Sequence, residues 1–567
     1  MEVTPTAVPA RWQRLVGGAV AEVALALGVV VAVWWPFLRS QKVDNRYGDW
    51  SFRADYLGYE LNAWRHDRQI PLWVTAPRFE QFRVKGVHDF FANPETDVLS
   101  IVPPLAAATD YLIAVKIELL ACLALGVLGC RRLLQALTGR AGLLPSLALA
   151  LLALCNGAMT AHVIVGHTQF VSTAAFPFVL ALLAEAFDPV RPARDRQRAA
   201  ALAGGLLALA YYAGNTHPLF YFLLAFVGLW PLLCCLQAPR AWRPILSSAT
   251  VAGCCFLGLA AVKLLPGIVD LRHYRTGYLM TFGSPRQLLD SLVKPWTEPW
   301  GDFSHEYNAY VGWGGLLVVA AGLLGLRDRR LRPLLVAALL LGALLFLKSG
   351  SRLLELPFLR TQGVLTRLRL VALPPLAAAG AVQIASLDGW LSRHPGGLWT
   401  RGLLAALALL FAFDLSRANV ARHVEAACRD ELPRSQGPFD EAPAFQPVGP
   451  GVVKPDAVRA NSFSYAYALP GPGLLVARDL PASPRPHLAL DGDGELTEQG
   501  GKLAVRVRKP AGSFRLRYFD PLAIWGLVAS IATVLALGWL LRRPAPAKEA
   551  GLEKATDVAL DRVSAAG

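Results

Sequence analysis

Residues 15–38 read LVGGAVAEVALALGVVVAVWWPFL, with one acid and no base. A helix crossing the hydrocarbon of a bilayer needs about 20 mostly apolar residues. This run meets that length and ends in Trp34-Trp35-Pro36, an interfacial aromatic anchor. Its length and the lack of a small-residue cleavage site argue against a removable leader. Working outward, the same reading predicts eleven more spans, at roughly 111–130, 141–158, 171–187, 199–214, 218–237, 245–265, 309–326, 333–347, 370–387, 402–415 and 521–541. Of 567 residues, 54 % are hydrophobic and 17 % charged. Soluble domains carry about 25 % charged residues. Disordered, collagenous and disulfide-scaffold classes are excluded. The expected fold is mainly α, a polytopic transmembrane helical bundle of about 12 spans.

Charge gives the expected orientation. With the N-terminus in the cytoplasm, the inner segments hold 22 Lys+Arg and 9 Asp+Glu, or +13 of the net +15. That is the positive-inside pattern, loop by loop. It puts both termini in the cytoplasm and makes the basic balance an insertion signal, not a nucleic-acid footprint. Seven of the eight cysteines fall in predicted spans and only Cys428 lies outside them, so no disulfide framework is expected. Neither GxxxxGK[ST] nor GxGxxG occurs at a strand–helix junction, which argues against an ATP-driven machine.

The sequence divides into a membrane module (1–415) with outer loops 39–110, 266–308 and 348–369, a β-rich extracytoplasmic domain (416–520), and a last span with a cytoplasmic tail (521–567). In the β-rich part, Leu503-Val505-Val507 and Phe514-Leu516-Tyr518 alternate with arginines across a Lys509-Pro510-Ala511-Gly512 turn, which predicts a hairpin. Asp491-Gly492-Asp493-Gly494 reads as a turn, because the full calcium-loop pattern is not met.

Function is expected in the outer loops. The first contains Asp44, Asp49, Asp55, Glu60 and Asp67 just beyond the first span. Asp49, after Gly48 and close to the membrane surface, is placed to deprotonate a hydroxyl acceptor beside a membrane-embedded donor. The competing reading pairs these acids with Arg46, Arg53, Arg65 and Arg68 on a solvated helix. Asp89, Asn93, Glu95 and Asp97 lie in a Pro-interrupted loop that either lines a site or is a structural turn. Lys116 and Glu118 lie inside a predicted span, where charge is costly and by default functional; snorkelling is the other reading of Lys116. His167 and His217 sit in short outer turns and would converge on a polar substrate, but with no third ligand visible no metal site is assigned. Arg286, and the cluster Arg360, Arg367 and Arg369, suit a phosphate, because guanidinium offers bidentate donors and keeps its charge; contact with lipid headgroups competes. Glu306 and Tyr310 stand just before a span.

Several of these segments in order carry a resemblance. They are Gly48-Asp49, Pro71-Leu72-Trp73, Ala92-Asn93-Pro94 followed by Pro103-Pro104, Gly166-His167, Gly214 to Pro218, Glu306 to Gly312, Arg367/Arg369, and Pro510 to Ser513 with Tyr518 before the closing span. Together the chain resembles the YfhO-like bacterial membrane proteins of the GT-C glycosyltransferase superfamily. The hairpin domain departs from that pattern at Pro484-Arg485-Pro486-His487, which lacks the usual Trp. Glu95 also stands where an amide is common.

The resemblance implies a multi-pass enzyme of the bacterial plasma (inner) membrane, with an extracytoplasmic active site and a polyprenyl-phosphate-linked sugar as donor. The acceptor would be a glycan, lipid or protein of the cell envelope, with membrane lipids around the chain. Asp49 would be the base of an inverting transfer, with Asp44, Asp89 and Glu95 as alternatives. Arg367, Arg369, Arg360, Arg286 and Lys116 would hold the donor phosphate and lipid. His167, His217, Asn93, Glu306 and Tyr310 would hold sugar or acceptor. The acids would allow a divalent cation, although a monophosphate-linked donor need not require one. The competing classes are a transporter or flippase of lipid-linked saccharides and a non-enzymatic envelope assembly protein.

Overall fold

The computed structural model describes residues 10–542 apart from 73–89, 92, 94–95, 272–278, 296–303, 349–350, 352–362, 392, 395–396, 433–443 and 482–486. Among the described residues, nine helices are long and apolar enough to cross a membrane, ten if one bent pair counts as a single span. All twelve predicted runs lie on helices, and the lower count has local causes. Leu143–Leu154 and Gly157–Ile164 meet at a 46° bend. There Asn156 accepts from the Met159 amide at 3.1 Å and donates to the Leu152 carbonyl at 2.9 Å, capping one piece and ending the other. Ala193–Tyr212 begins in a turn holding Arg194, Asp195, Arg196 and Arg198, so only its later part is apolar. Arg332–Phe346 is a shorter apolar helix.

Helices approach closely where side chains vanish. A Cβ on Gly380 would stand 2.1 Å from the Val318 carbonyl oxygen, and one on Gly322 2.6 Å from that of Leu376. Helices Gly312–Gly322 and Arg369–Leu391 are therefore in backbone contact. In lipid, such packing takes over from the hydrophobic drive that water would supply.

Between the last two candidate spans lies a β-sandwich. One sheet runs Val452–Arg459, Ser462–Ala468, Ala511–Tyr518, Leu488–Gly492; the other runs Phe445–Pro447, Gly473–Pro481, Lys502–Val507, Glu495–Gln499. All neighbouring strands are antiparallel. The predicted hairpin is corrected: Lys502–Val507 and Ala511–Tyr518 belong to opposite sheets. Both alternate because Leu503, Val505 and Val507 face Phe514, Leu516 and Tyr518 across one core. Pairing edge to edge and packing face to face leave the same period-2 signature. Of the expected turn at Asp491 to Gly494, only Asp493 and Gly494 form the connection, since Asp491 and Gly492 end strand Leu488–Gly492, and strand Glu495–Gln499 follows in the opposite sheet.

The sandwich rests on the segment that follows the first candidate span. The Ala460 amide donates to Asp67 at 2.6 Å, the Leu72 amide to Asn461 Oδ1 at 2.7 Å, and the Tyr59 hydroxyl to the Ala460 carbonyl at 3.2 Å. A two-stranded bridge, Lys42–Val43 with Asp430–Glu431, ties the start of that segment to the chain after helix Gly397–Leu415 and its continuation to Ala427. The segment bearing Asp49 is thus braced at both ends.

Candidate functional site

Gly48 has φ 77, a left-handed turn that glycine adopts without cost, and helix Asp49–Asn62 begins directly after it. Asp49 therefore occupies a helix N-terminus, where the dipole favours a negative charge. Trp50 is wholly buried and its Nε1 donates to the Ile164 carbonyl at 2.9 Å. Gly166 closes the contact: it has φ 104, and a Cβ there would stand 2.8 Å from the Trp50 amide nitrogen. These two touches bring residue 49 to residue 167. His167 Nε2 lies 3.4 Å from Asp49 Oδ2, with the aspartate side chain 30 % exposed.

From His167 the polar path leads inward. Its Nδ1 is 2.8 Å from His162 Nδ1, a hydrogen bond in which one ring donates and the other accepts. His162 is fully buried at the end of helix Gly157–Ile164. That helix is pinned to the chain around residue 310. The Gly157 amide donates to the Tyr310 carbonyl at 2.8 Å, and Asn419 Nδ2 donates to the carbonyls of Cys155 (2.9 Å) and Tyr310 (3.2 Å). The pinning sets His162 Nε2 3.7 Å from Glu306 Oε2, with His305 Nε2 3.6 Å from Glu306 Oε1. His162, His167, His305 and Glu306 are all buried, and each offers a ligand atom within 4.8 Å of the others. These are the described residues able to hold a metal as a group.

Two arginines complete the floor. Arg367 binds Glu306 through Nη2 at 2.5 Å and Nε at 3.0 Å, and its guanidinium carbon lies 5.1 Å from the centre of the Phe170 ring. Arg369 donates to the carbonyls of Glu306, His305 and Thr366, the last two at 2.9 Å. Spans Thr168–Phe187, His305–Arg327 and Leu365–Leu391 all start at this cluster, and Gly18–Arg39 ends shortly before Asp49. The cluster thus stands where four membrane-length helices have their ends.

The other candidate residues are placed as follows. Asp44 is wholly buried between Arg46 Nε and His423 Nε2, each at 2.9 Å. Burial opposes its ionised form, but the hydrogen bonds from His423 and Arg46 outweigh it and hold the carboxyl at about 2. Burial also raises Asp49, yet the charge of His167 and the hydrogen bond with it prevail, and the carboxyl lies below its ordinary value. Lys116 donates to the Ser40 carbonyl and lies 5.8 Å from the centre of the Phe37 ring. Asn93 is buried and donates to the Tyr56 hydroxyl at 3.4 Å. The Tyr310 hydroxyl donates to Asp414 at 2.7 Å. Arg286 is exposed on helix Pro285–Val293. His217 is buried at the start of helix His217–Phe222. Asp89, Glu95 and Arg360 lie outside the described residues. A second acidic group, Glu60 and Asp97, is pushed upward by burial; repulsion from Asp97 adds to Glu60, while Arg53 opposes the rise in Asp97.

Sequence reasoning missed His162 and His305. His162 sits in an apolar run and reads as a core residue, although its spacing of five from His167 was visible. His305 is adjacent to a residue already singled out.

No family model matches the chain, and no curated protein matches it. Among solved structures, it is similar to the crystal structure of ArnT from Cupriavidus metallidurans bound to undecaprenyl phosphate. The identity is 13 %, the TM-score 0.38, and the match covers 74 % of each chain. A likeness at that level carries no conclusion about activity, and the functional reading rests on the residues themselves.

Proposed function

We propose that the chain is a membrane glycosyltransferase of the GT-C kind, moving a sugar from a polyprenyl-phosphate-linked donor to a hydroxyl acceptor on the outer face of the plasma membrane. The observation that carries this reading is the partly exposed Asp49 carboxylate, held at a helix N-terminus against His167 and connected through His162 and Glu306 to Arg367 where membrane-length helices end. A lipid-linked donor needs its tail in the bilayer and its reacting carbon at the boundary. A base there must be reachable by a soluble acceptor, and Asp49 is the exposed end of an otherwise buried cluster.

In the proposed reaction Asp49 takes the proton of the acceptor hydroxyl as its oxygen attacks the anomeric carbon from the face opposite the leaving phosphate. The configuration inverts, and the polyprenyl phosphate departs with the electrons of the broken bond. Arg367 and Arg369 carry two positive charges against the single charge of Glu306, so one remains to stabilise the departing phosphate. His167 holds the orientation of Asp49. Asp44 is assigned to structure, because both its oxygens are held by Arg46 and His423 away from any opening. The test is sugar transfer or release from a panel of polyprenyl-phosphate hexoses by protein in lipid, wild type beside Asp49→Asn.

A further inference from the structure

We infer that His162, His305 and Glu306 form a binding site for one divalent transition metal of the zinc class, with His167 linking that metal to Asp49. The first support is distance. His162 Nε2 to Glu306 Oε2 is 3.7 Å and His305 Nε2 to Glu306 Oε1 is 3.6 Å. Both are longer than the 3.4 Å between His167 and Asp49, and neither is a hydrogen bond. Two ligands of a tetrahedral zinc, each about 2.0–2.1 Å from the ion, stand about 3.3–3.4 Å apart. The observed separations, one to each oxygen of Glu306, lie within a few tenths of an ångström of that edge, and one ligand atom from each of the three residues lies within 4.8 Å of the others.

The second support is proton counting. His162 Nδ1 and His167 Nδ1 share one proton across 2.8 Å. Suppose both rings are neutral and His167 donates. Its Nε2 lone pair then faces the Asp49 carboxylate at 3.4 Å, which is repulsive. Suppose instead that His162 donates. His167 Nε2–H then points at Asp49, as it should, but His162 Nε2 is a bare lone pair beside the Glu306 carboxylate. That atom is buried and has no hydrogen-bond partner. With both rings neutral, a cation on His162 Nε2 resolves the conflict; a second proton on His167 would also resolve it, by placing His162 Nε2–H toward Glu306, and metal content separates the two states. The cation binds the lone pair and fixes the tautomer, so His162 ligates the metal and one proton sits in each of the two gaps beyond it, His162–His167 and His167–Asp49. Zinc-binding histidines ordinarily donate their other ring N–H in this way.

The donor set points to the metal class. Two imidazoles and one carboxylate suit zinc and its neighbours better than calcium or magnesium, which prefer oxygen. Three protein ligands also leave one position open. Arg367 does not exhaust Glu306, since each carboxylate oxygen has two lone pairs; it plays the part of a hydrogen bond that orients a ligating carboxylate. This inference concerns the same cleft as the proposed transfer but does not need it, because metal content is read without turnover.

The experiment uses full-length protein in lipid nanodiscs, stripped with chelator, reloaded with Zn²⁺ and washed. The expected result is one zinc per chain, falling at least tenfold in His162→Gln and in His305→Gln. It should be unchanged in His394→Gln, an exposed histidine elsewhere. Zinc at background level in folded wild type, or full zinc in a folded His162→Gln protein, overturns the site. Should either variant fail to fold, the wild type loaded with Co²⁺ decides. Intense visible bands of a tetrahedral nitrogen–oxygen site are expected, and the weak spectrum of hydrated cobalt refutes it.

Discussion

Asp49 and His167 face each other at 3.4 Å, although 118 positions separate them, because Trp50 and Gly166 leave no space between their two segments. The pair joins a partly exposed carboxylate to a buried polar cluster. Its first consequence concerns pH. Burial raises Asp49, and His167 is the largest influence pulling it down. A base acts in its deprotonated form, so the rate should fall only as pH drops through the lowered value, below the ordinary aspartate pKa of about 3.9. His167→Gln removes that pull and leaves burial to dominate. The acid limb of kcat/KM should then move to higher pH; a limb that stays in place would show that His167 does not govern Asp49.

The closeness of Gly166 to Trp50 gives a structural test. Gly166→Val would place a Cβ 2.8 Å from the Trp50 amide at φ 104. The backbone strain alone is of order 1–3 kcal/mol. Thermal unfolding should occur at lower temperature, and transfer should fall about tenfold or more through displacement of His167. Gly402→Ala, with nothing within 4 Å of the added Cβ, should change neither.

Arg367 has a structural partner that the sequence could not reveal. Reading the arginine cluster alone suggests that Arg367→Ala weakens donor binding more than it affects expression. In the folded protein Arg367 and Glu306 are both buried and bonded, so removing the arginine leaves an uncompensated carboxylate. The expected cost is about 3–5 kcal/mol. Arg367→Met with Glu306→Gln should regain most of the stability without regaining transfer. Equal unfolding temperatures for the single and double variants would contradict the pairing.

Much of this architecture was visible in the residues. The twelve apolar runs are helical, since a segment such as 15–38 has no other way to satisfy its backbone in lipid. The alternation in 503–507 and 514–518 correctly signalled strands, but period two cannot tell a paired strand from one across a sandwich core. Asp49, His167, Glu306, Arg367 and Arg369 were all singled out from local context, and they converge. What stayed hidden was the wiring. His162 looks like an interior residue of an apolar helix, and nothing in the sequence pairs Asp44 with His423, 379 positions away.

That Asp44 pair predicts a stability effect distinct from catalysis. Its carboxyl, held at about 2, contributes stability above its unfolded value of 3.8, and this contribution is lost as pH falls toward 2. Asp44→Asn should cost about 1–3 kcal/mol at neutral pH by leaving buried polar atoms poorly paired. The same variant should show a shallower loss of stability on acidification. Unfolding curves at several pH values check both points.

The most direct test of the central claim is turnover of polyprenyl-phosphate hexoses in lipid by wild type and Asp49→Asn. The account predicts sugar transfer or release by the wild type and a fall of about 10²–10⁴-fold in a variant that unfolds at the same temperature. Undiminished turnover by a folded Asp49→Asn protein would contradict it.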